Sequence, residues 1–391
     1  MYRLLALPLL LCSLTSLALG AEDRTRINEA LQRAGKNRPQ IERALKECAE
    51  DQRAGMQFLV TYMPQRDLQT LSARFLLDNV ALSYQTWRKS AWGQRIPRDI
   101  FFNYVLPYCS INERRDNWRK DFHARFRERV EGAQTASQAT AILNRTIFGE
   151  FNVRFSTKRP KADQSPYETI SAGMASCTGL SVLLIDACRA VGIPARFVGT
   201  PRWSDNSGNH SWVEIWDQGW HFTGAAEPAG EHLDRAWFTG RAATAQRDQR
   251  LHAIYAVSYK QTPLSFPLIW DPAIDYVYAV NVSDRYTQKS KQLPVGMIRV
   301  AFRLVDDQTS QRLAADFTLR GVSGKPVFKG TTKDERFDPN DHLTFPLKQG
   351  ESYDVELNWS GHRLSKRIRA TKEGVVYTFQ RRDLQPTPKT P

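Results

Sequence analysis

Apolar positions in the first third of the chain recur at helical spacing. Ile27, Leu31 and Ala34 share one face, as do Ile41, Ala44, Leu45 and Cys48. Pro39, Pro64 and Pro97 punctuate the run, and Asp67 is placed to cap a helix carrying Leu71, Phe75 and Leu82. Residues 112–130 read as a charged helix with Trp118, Phe122 and Phe126 on a single stripe, the pattern of a core-facing surface. Beyond residue 133 the pattern changes. A helix over 137–149 leads into Val153-Arg154-Phe155 and a polar loop ending in Asp163-Gln164-Ser165-Pro166. Leu180, Leu183, Leu184, Ala187 and Val191 outline a second helix that starts near Cys177 and is stopped by Gly192-Ile193-Pro194. Strand-like runs follow over 195–199 and 211–216, and Gln218-Gly219 supplies a hairpin turn before Trp220-His221-Phe222. From about residue 295 the period becomes two. Ile298, Val300, Phe302 and Leu304 alternate, as do Phe317 and Leu319. Turns at Gly324-Lys325-Pro326, Asp338-Pro339-Asn340 and Gln349-Gly350 are spaced as in a small sandwich.

These changes of period divide the 391 residues into a helical domain (21–132), a mixed domain (133–290), a β-sandwich (295–382) and a Pro-rich tail (383–391) expected to be disordered. One helix followed by antiparallel strands makes the middle domain α+β. Residues 1–20 read as a signal peptide. Arg3 forms a basic start, residues 4–14 an apolar stretch, and Ala18-Leu19-Gly20 a small-x-small cleavage site. The expected location is therefore secreted or periplasmic, and no later stretch has membrane-spanning length. The net charge of +14 is spread along the chain without a helix-turn-helix, zinc-finger or RNA-binding signature, so solvated faces are expected rather than a specific nucleic-acid site.

Cys48, Cys109, Cys177 and Cys188 remain after the signal. No two form a CxxC, and the histidines lack close ligand spacing, so neither a metal nor another cofactor is expected. Cys48 and Cys109 could pair. Cys188 belongs to the helix's apolar face and reads as a buried small hydrophobe. Cys177 differs, because it stands where the apolar helix begins, facing unpaired amides and the positive dipole end that favour a thiolate. A base must lie within reach of such a nucleophile. His210 opens the run His-Ser-Trp-Val-Glu-Ile-Trp, whose period of two places His210, Trp212, Glu214 and Trp216 on one face. With a two-residue Gln218-Gly219 turn, paired residue numbers sum to 437 and His210 lies opposite Glu227, whose carboxylate could orient the imidazole. A slip of one residue would break that pairing. His221 reads as an ordinary strand residue. Trp203, Trp212 and Trp216 could line a groove, although packing is the commoner role for strand aromatics.

The stretches SCTGLSVLLIDACRAVGIPARFVG and GNHSWVEIWDQGWHF resemble the core motifs of the transglutaminase-like superfamily over roughly residues 176–220. The resemblance implies a papain-like α+β core with Cys177 as nucleophile and His210 as base. The family's acidic position, four residues after the Gly-Trp tryptophan, is Gly224 here, so either Glu227 replaces the acid or the triad is incomplete. Gln164 is a candidate oxyanion donor by position and side-chain type, beside the backbone amide of Cys177. The implied function is acyl transfer from an amide through a thioester on Cys177, with peptidase or amidase action favoured over transglutamination. The expected substrate is a protein, peptide or peptidoglycan-like amide. The alternative is a catalytically quiet module that binds envelope peptides or glycans.

Overall fold

The computed structural model describes residues 24–289, 293–334 and 342–386. The expected signal segment, the tail beyond 386 and the turn at Asp338-Pro339-Asn340 lie outside the described residues. The fold is α+β, with helices concentrated before residue 190 and mostly antiparallel strands after it. The first helices are α1 (24–33), α2 (Arg38–Glu47), α3 (Arg53–Tyr62), α4 (Gln65–Leu68), α5 (Ala73–Lys89), α6 (Arg98–Tyr104) and α7 (Arg119–Phe126). Next come α8 (Ala136–Glu150), α9 (Pro166–Ala172) and α10 (Cys177–Ala190). One apolar cluster runs without a break from Ala30 in α1, through Trp118, Phe122 and Phe126 of the aromatic stripe, to Leu183 in α10 and Ala279.

Two expectations for the helical region need correction. The helix expected over 112–130 is confined to Arg119–Phe126 and a short 3-10 turn over Glu128–Val130. Ahead of it the Glu113 carboxylate accepts the amides of Ser110 and Ile111, and Asp116 accepts that of Tyr167. Those side-chain bonds hold the backbone in a non-helical path. Nor does Asp67 cap the helix after it. Ser72 caps α5 by accepting from Phe75, while Asp67 is fully buried against Arg115 and the Tyr108 hydroxyl, each at 2.9 Å.

The central sheet has six antiparallel strands in the order β5-β4-β3-β6-β8-β7: β3 (Ala195–Thr200), β4 (His210–Trp216), β5 (Trp220–Thr223), β6 (Tyr255–Val257), β7 (Leu264–Ser265) and β8 (Tyr278–Asn281). A short parallel pair, β1 (Arg154–Phe155) with β2 (Met174–Ala175), precedes α10. Helix α10 packs on β3 and β4, and all but its first residue are buried. Its C-terminus closes with Ile193 N–H on Cys188 O at 2.9 Å and Gly192 N–H on Arg189 O at 3.1 Å. Gly192 takes φ +83°, which a side chain would oppose, so Gly-Ile-Pro ends the helix and turns the chain into β3.

The C-terminal strands form two sheets. One has β9 (Met297–Val305) between β10 (Arg312–Leu313) and β13 (Leu343–Lys348), with β16 (Val375–Gln380) added parallel to β9. The other runs β12-β11-β14-β15-β17, comprising Pro326–Thr331, Asp316–Arg320, Ser352–Trp359, His362–Arg369 and Gln385–Pro386. Ile298, Val300, Phe302 and Leu304 of one sheet and Phe317, Val355 and Leu357 of the other share an apolar cluster. Among the described residues, no helix is long and apolar enough to cross a membrane.

Candidate active site

The site forms where the start of α10 meets the start of β4. Ser176 caps α10, its hydroxyl accepting the Gly179 amide at 3.4 Å, and Cys177 is the first helical residue. Among the described residues four cysteines are free thiols, and Cys177 is the partly exposed one. Cys48, Cys109 and Cys188 are buried and unbridged. The residue after Cys177 and the residue after His210 are joined directly, since Thr178 Oγ1 and Ser211 Oγ share a hydrogen bond of 3.2 Å. His210 is 1 % exposed and lies in an aromatic enclosure. The ring centres of Trp237 and Phe238 lie 4.8 and 4.9 Å from it, with Trp212 and Trp203 stacked at 5.8 and 6.1 Å. Trp203 and Trp212 are therefore packing residues around the imidazole.

The hairpin register differs by one from the expected value. Trp216 pairs with Trp220 and Val213 with Thr223, so paired numbers sum to 436. The turn holds three residues, Asp217 to Gly219, because Gln218 adopts φ +59° and Asp217 N–H reaches Gly219 O. Glu227 nonetheless arrives at His210 by another route. After β5 the chain doubles back in a tight bridge between Gly224 and Glu227, with Glu227 N–H on Gly224 O at 3.2 Å and Ala226 at φ +63°. Asn144 of α8 holds this turn from below. Its amide donates to Gly224 O at 2.8 Å and Thr223 Oγ1 at 3.0 Å, and its carbonyl accepts Ala226 N–H at 2.9 Å. The Glu227 carboxylate then lies 4.0 Å from His210 Nε2, an ion-pair separation longer than a hydrogen bond. It also accepts a 2.8 Å hydrogen bond from Trp237 Nε1.

The motif residues that flank the pair are held by bonds within the fold. Glu214 is fully buried and receives Arg196 at 2.6 and 2.8 Å, Arg285 at 2.6 and 2.7 Å and the Tyr286 hydroxyl at 2.7 Å. Gln164 is buried and donates its amide to Met174 O at 3.0 Å and Glu168 O at 3.4 Å. It thereby ties the capping box of α9, Ser165 with Glu168, to β2 beneath the start of α10. The Ser165-x-x-Glu168 signature announces α9, which begins at the Pro166 that ends the expected polar loop. His221, on β5, pairs with Asp234 at 2.8 Å, and Asp234 also accepts the Phe222 amide. Asn144 and Trp237 escape sequence reasoning. Each lies outside the Cys and His motifs and reaches the site only through the fold.

Residues 124–224 match the family model of the Transglutaminase-like superfamily, and the chain carries a transglutaminase-like core over that stretch. The match ends at Gly224, so Glu227 and Trp237 fall beyond it. No curated protein matches. Among solved structures, the "Putative Cysteine Protease" of Cytophaga hutchinsonii is similar at 18 % identity over 28 % of this chain and 38 % of that one, with a TM-score of 0.24. The Bacillus anthracis TIE protein is similar at 15 % identity over 48 % of this chain and 30 % of its own length, with a TM-score of 0.18. Red sea bream transglutaminase is similar at 8 % identity over 73 % of this chain and 66 % of that one, with a TM-score of 0.31. The chain thus spans little more than a third of the first of these and under a third of the second.

Proposed function

We propose, from the transglutaminase-like core, that this chain is a cysteine acyl-transfer enzyme that cleaves amide bonds through a thioester on Cys177. The observation that carries this reading is a single geometry. His210 Nε2 faces the Glu227 carboxylate at 4.0 Å while its neighbour Ser211 is bonded to Thr178, the residue after Cys177. In this reading the carboxylate takes the Nε2 side of the imidazole and the thiol takes Nδ1. Catalytic contacts are commonly long without substrate and tighten in the complex.

Each residue then has one task. His210 takes the proton of Cys177, and the thiolate attacks the amide carbonyl. The tetrahedral oxyanion is met by backbone amides at the start of α10, that of Cys177 among them, where the helix dipole is positive. His210 returns its proton to the leaving amine, and Glu227 stabilises the intervening imidazolium. Water releases the acyl group in the peptidase or amidase outcome, and an amine does so in transamidation. Export, expected from residues 1–20, would bring the enzyme to peptide or peptidoglycan-like amides of the cell envelope or exterior.

The test is the pH dependence of iodoacetamide alkylation at Cys177, read by mass spectrometry. Alkylation well below the ordinary thiol range of about 8.5, slowed roughly tenfold or more by His210→Ala, is the expected result. Ordinary thiol behaviour in both proteins would sink the reading. Release of amine from a peptide library, set against incorporation of a labelled amine, separates hydrolysis from transamidation.

A further inference from the structure

The family's acidic position is occupied by Gly224, and the carboxylate that faces His210 comes from three residues further on. A carboxylate moved in this way needs its own support, because its side chain leaves a turn rather than a strand. We infer that Trp237 is the positioning residue that makes Glu227 a working partner of His210. The inference rests on the reading of Cys177, His210 and Glu227 given above.

Four contacts converge on this indole. Its Nε1–H donates to Glu227 Oε2 at 2.8 Å, the same oxygen that stands 4.0 Å from His210 Nε2. Its ring lies 4.8 Å from the His210 ring at an interplanar angle of 56°. Its other neighbours, Phe238 at 90° and Trp203 at 70°, meet it edge-on and restrict rotation of the plane. A tryptophan that served packing alone could satisfy its N–H with any nearby carbonyl. Here the N–H is directed at the carboxylate, while the ring packs at a tilt against the imidazole that the carboxylate must reach. A neutral donor suits this task, since it orients the oxygen without adding a cation that would repel an imidazolium. Asn144 fixes the backbone of the turn, and Trp237 fixes the carboxylate at its end.

The experiment is a double-mutant cycle on the full chain, with alkylation of Cys177 as a function of pH as its readout. Trp237→Phe keeps the ring against His210 and removes the N–H. It is expected to slow alkylation at pH 6 to 7 about threefold to tenfold and to move the profile toward ordinary thiol behaviour. The same substitution made in Glu227→Gln is expected to add nothing, because it acts through the carboxylate. Trp237→His, which retains an N–H donor, is expected to recover part of the loss. A Trp237→Phe profile identical to wild type, or an equal further loss in the Glu227→Gln background, would overturn the inference while leaving the Cys177–His210 reading intact. Wild-type alkylation that does not respond to His210→Ala would overturn that reading itself. Should Trp237→Phe fail to fold, Trp237→Leu, which also removes the N–H, closes the same cycle alone and with Glu227→Gln, with the same criterion of additivity.

Discussion

Arg196 of β3 and Glu214 of β4 stand opposite each other in the register, and the guanidinium donates two hydrogen bonds to one carboxylate oxygen. These are the arginine of Gly-Ile-Pro-Ala-Arg and the glutamate of His-Ser-Trp-Val-Glu. The two motifs are therefore coupled by an ion pair that locks β3 to β4, behind the start of the strand that carries His210.

Removing one partner of this pair leaves the other buried and unmatched, so Glu214→Gln is expected to lower stability by about 3 kcal/mol or more. Burial alone would raise the Glu214 carboxyl, but Arg196 and Arg285 outweigh it and hold the group below the ordinary glutamate range. A folded value below the unfolded one means the contribution is complete above the unfolded value and is lost as pH falls through the folded one. Urea midpoints measured from pH 7 down to pH 3 should therefore fall more steeply for wild type than for Glu214→Gln. Parallel curves would show that the pair is not ionised in the fold.

Asp186, in the middle of α10, presents the opposite sign. It is fully buried, and neither carboxyl oxygen has a hydrogen-bond partner among the described residues. Nearby Arg119 and Arg189 direct their donors at backbone carbonyls of residues 105–109 and at Ala195 O among others. Burial, with Glu113 adding to it, pushes the Asp186 carboxyl well above its ordinary range against the pull of Arg189 and Arg119. A raised acid costs stability once pH exceeds the unfolded value, so Asp186→Asn is expected to gain on wild type between pH 4 and pH 7, on the order of 1 kcal/mol. A gap that narrows over that range would show that the carboxylate is charged and paired.

Thiol selectivity follows from burial. Burial pushes the Cys188 thiol up to about 12 and the Cys109 thiol higher still, and it raises Cys48 despite the opposing charge of Arg53. Native protein treated with iodoacetamide at pH 7 is expected to be modified at Cys177 and to keep the other three thiols free until denaturant is added. Early labelling of Cys188 would mean that α10 opens locally without global unfolding.

What could be read from the chain was what local pattern determines. Helix α10 shows itself through the apolar period and the Gly192 stop, and β3 and β4 through strand-like runs with the expected bounds within one residue. The hairpin register was not legible, because Gln218 takes a left-handed conformation usually left to glycine or asparagine. The capping role expected of Asp67 failed for a related reason. A partner 48 residues away, Arg115, takes the carboxylate, and local spacing carries no trace of that. The same holds for Asn144, which grips a turn about 80 residues later in the chain.

The last prediction concerns why residue 224 is glycine. A Cβ built there would meet Glu227 Oε2 far inside contact distance, with Glu227 Cβ and Cδ at 3.0 and 3.1 Å. The space a side chain at 224 would fill is the space the Glu227 carboxylate uses, so the two positions exclude each other. Gly224→Ala is expected to displace the carboxylate and slow alkylation of Cys177 at pH 6 to 7 about fivefold or more. The cost to folding should be small, since Gly224 does not need a left-handed conformation. Gly224→Asp with Glu227→Gly returns an acid to the family's position and frees the room it needs, so this double variant should react faster than either single one. Alkylation in Gly224→Ala at the wild-type rate would mean that the exclusion has no bearing on the chemistry of Cys177.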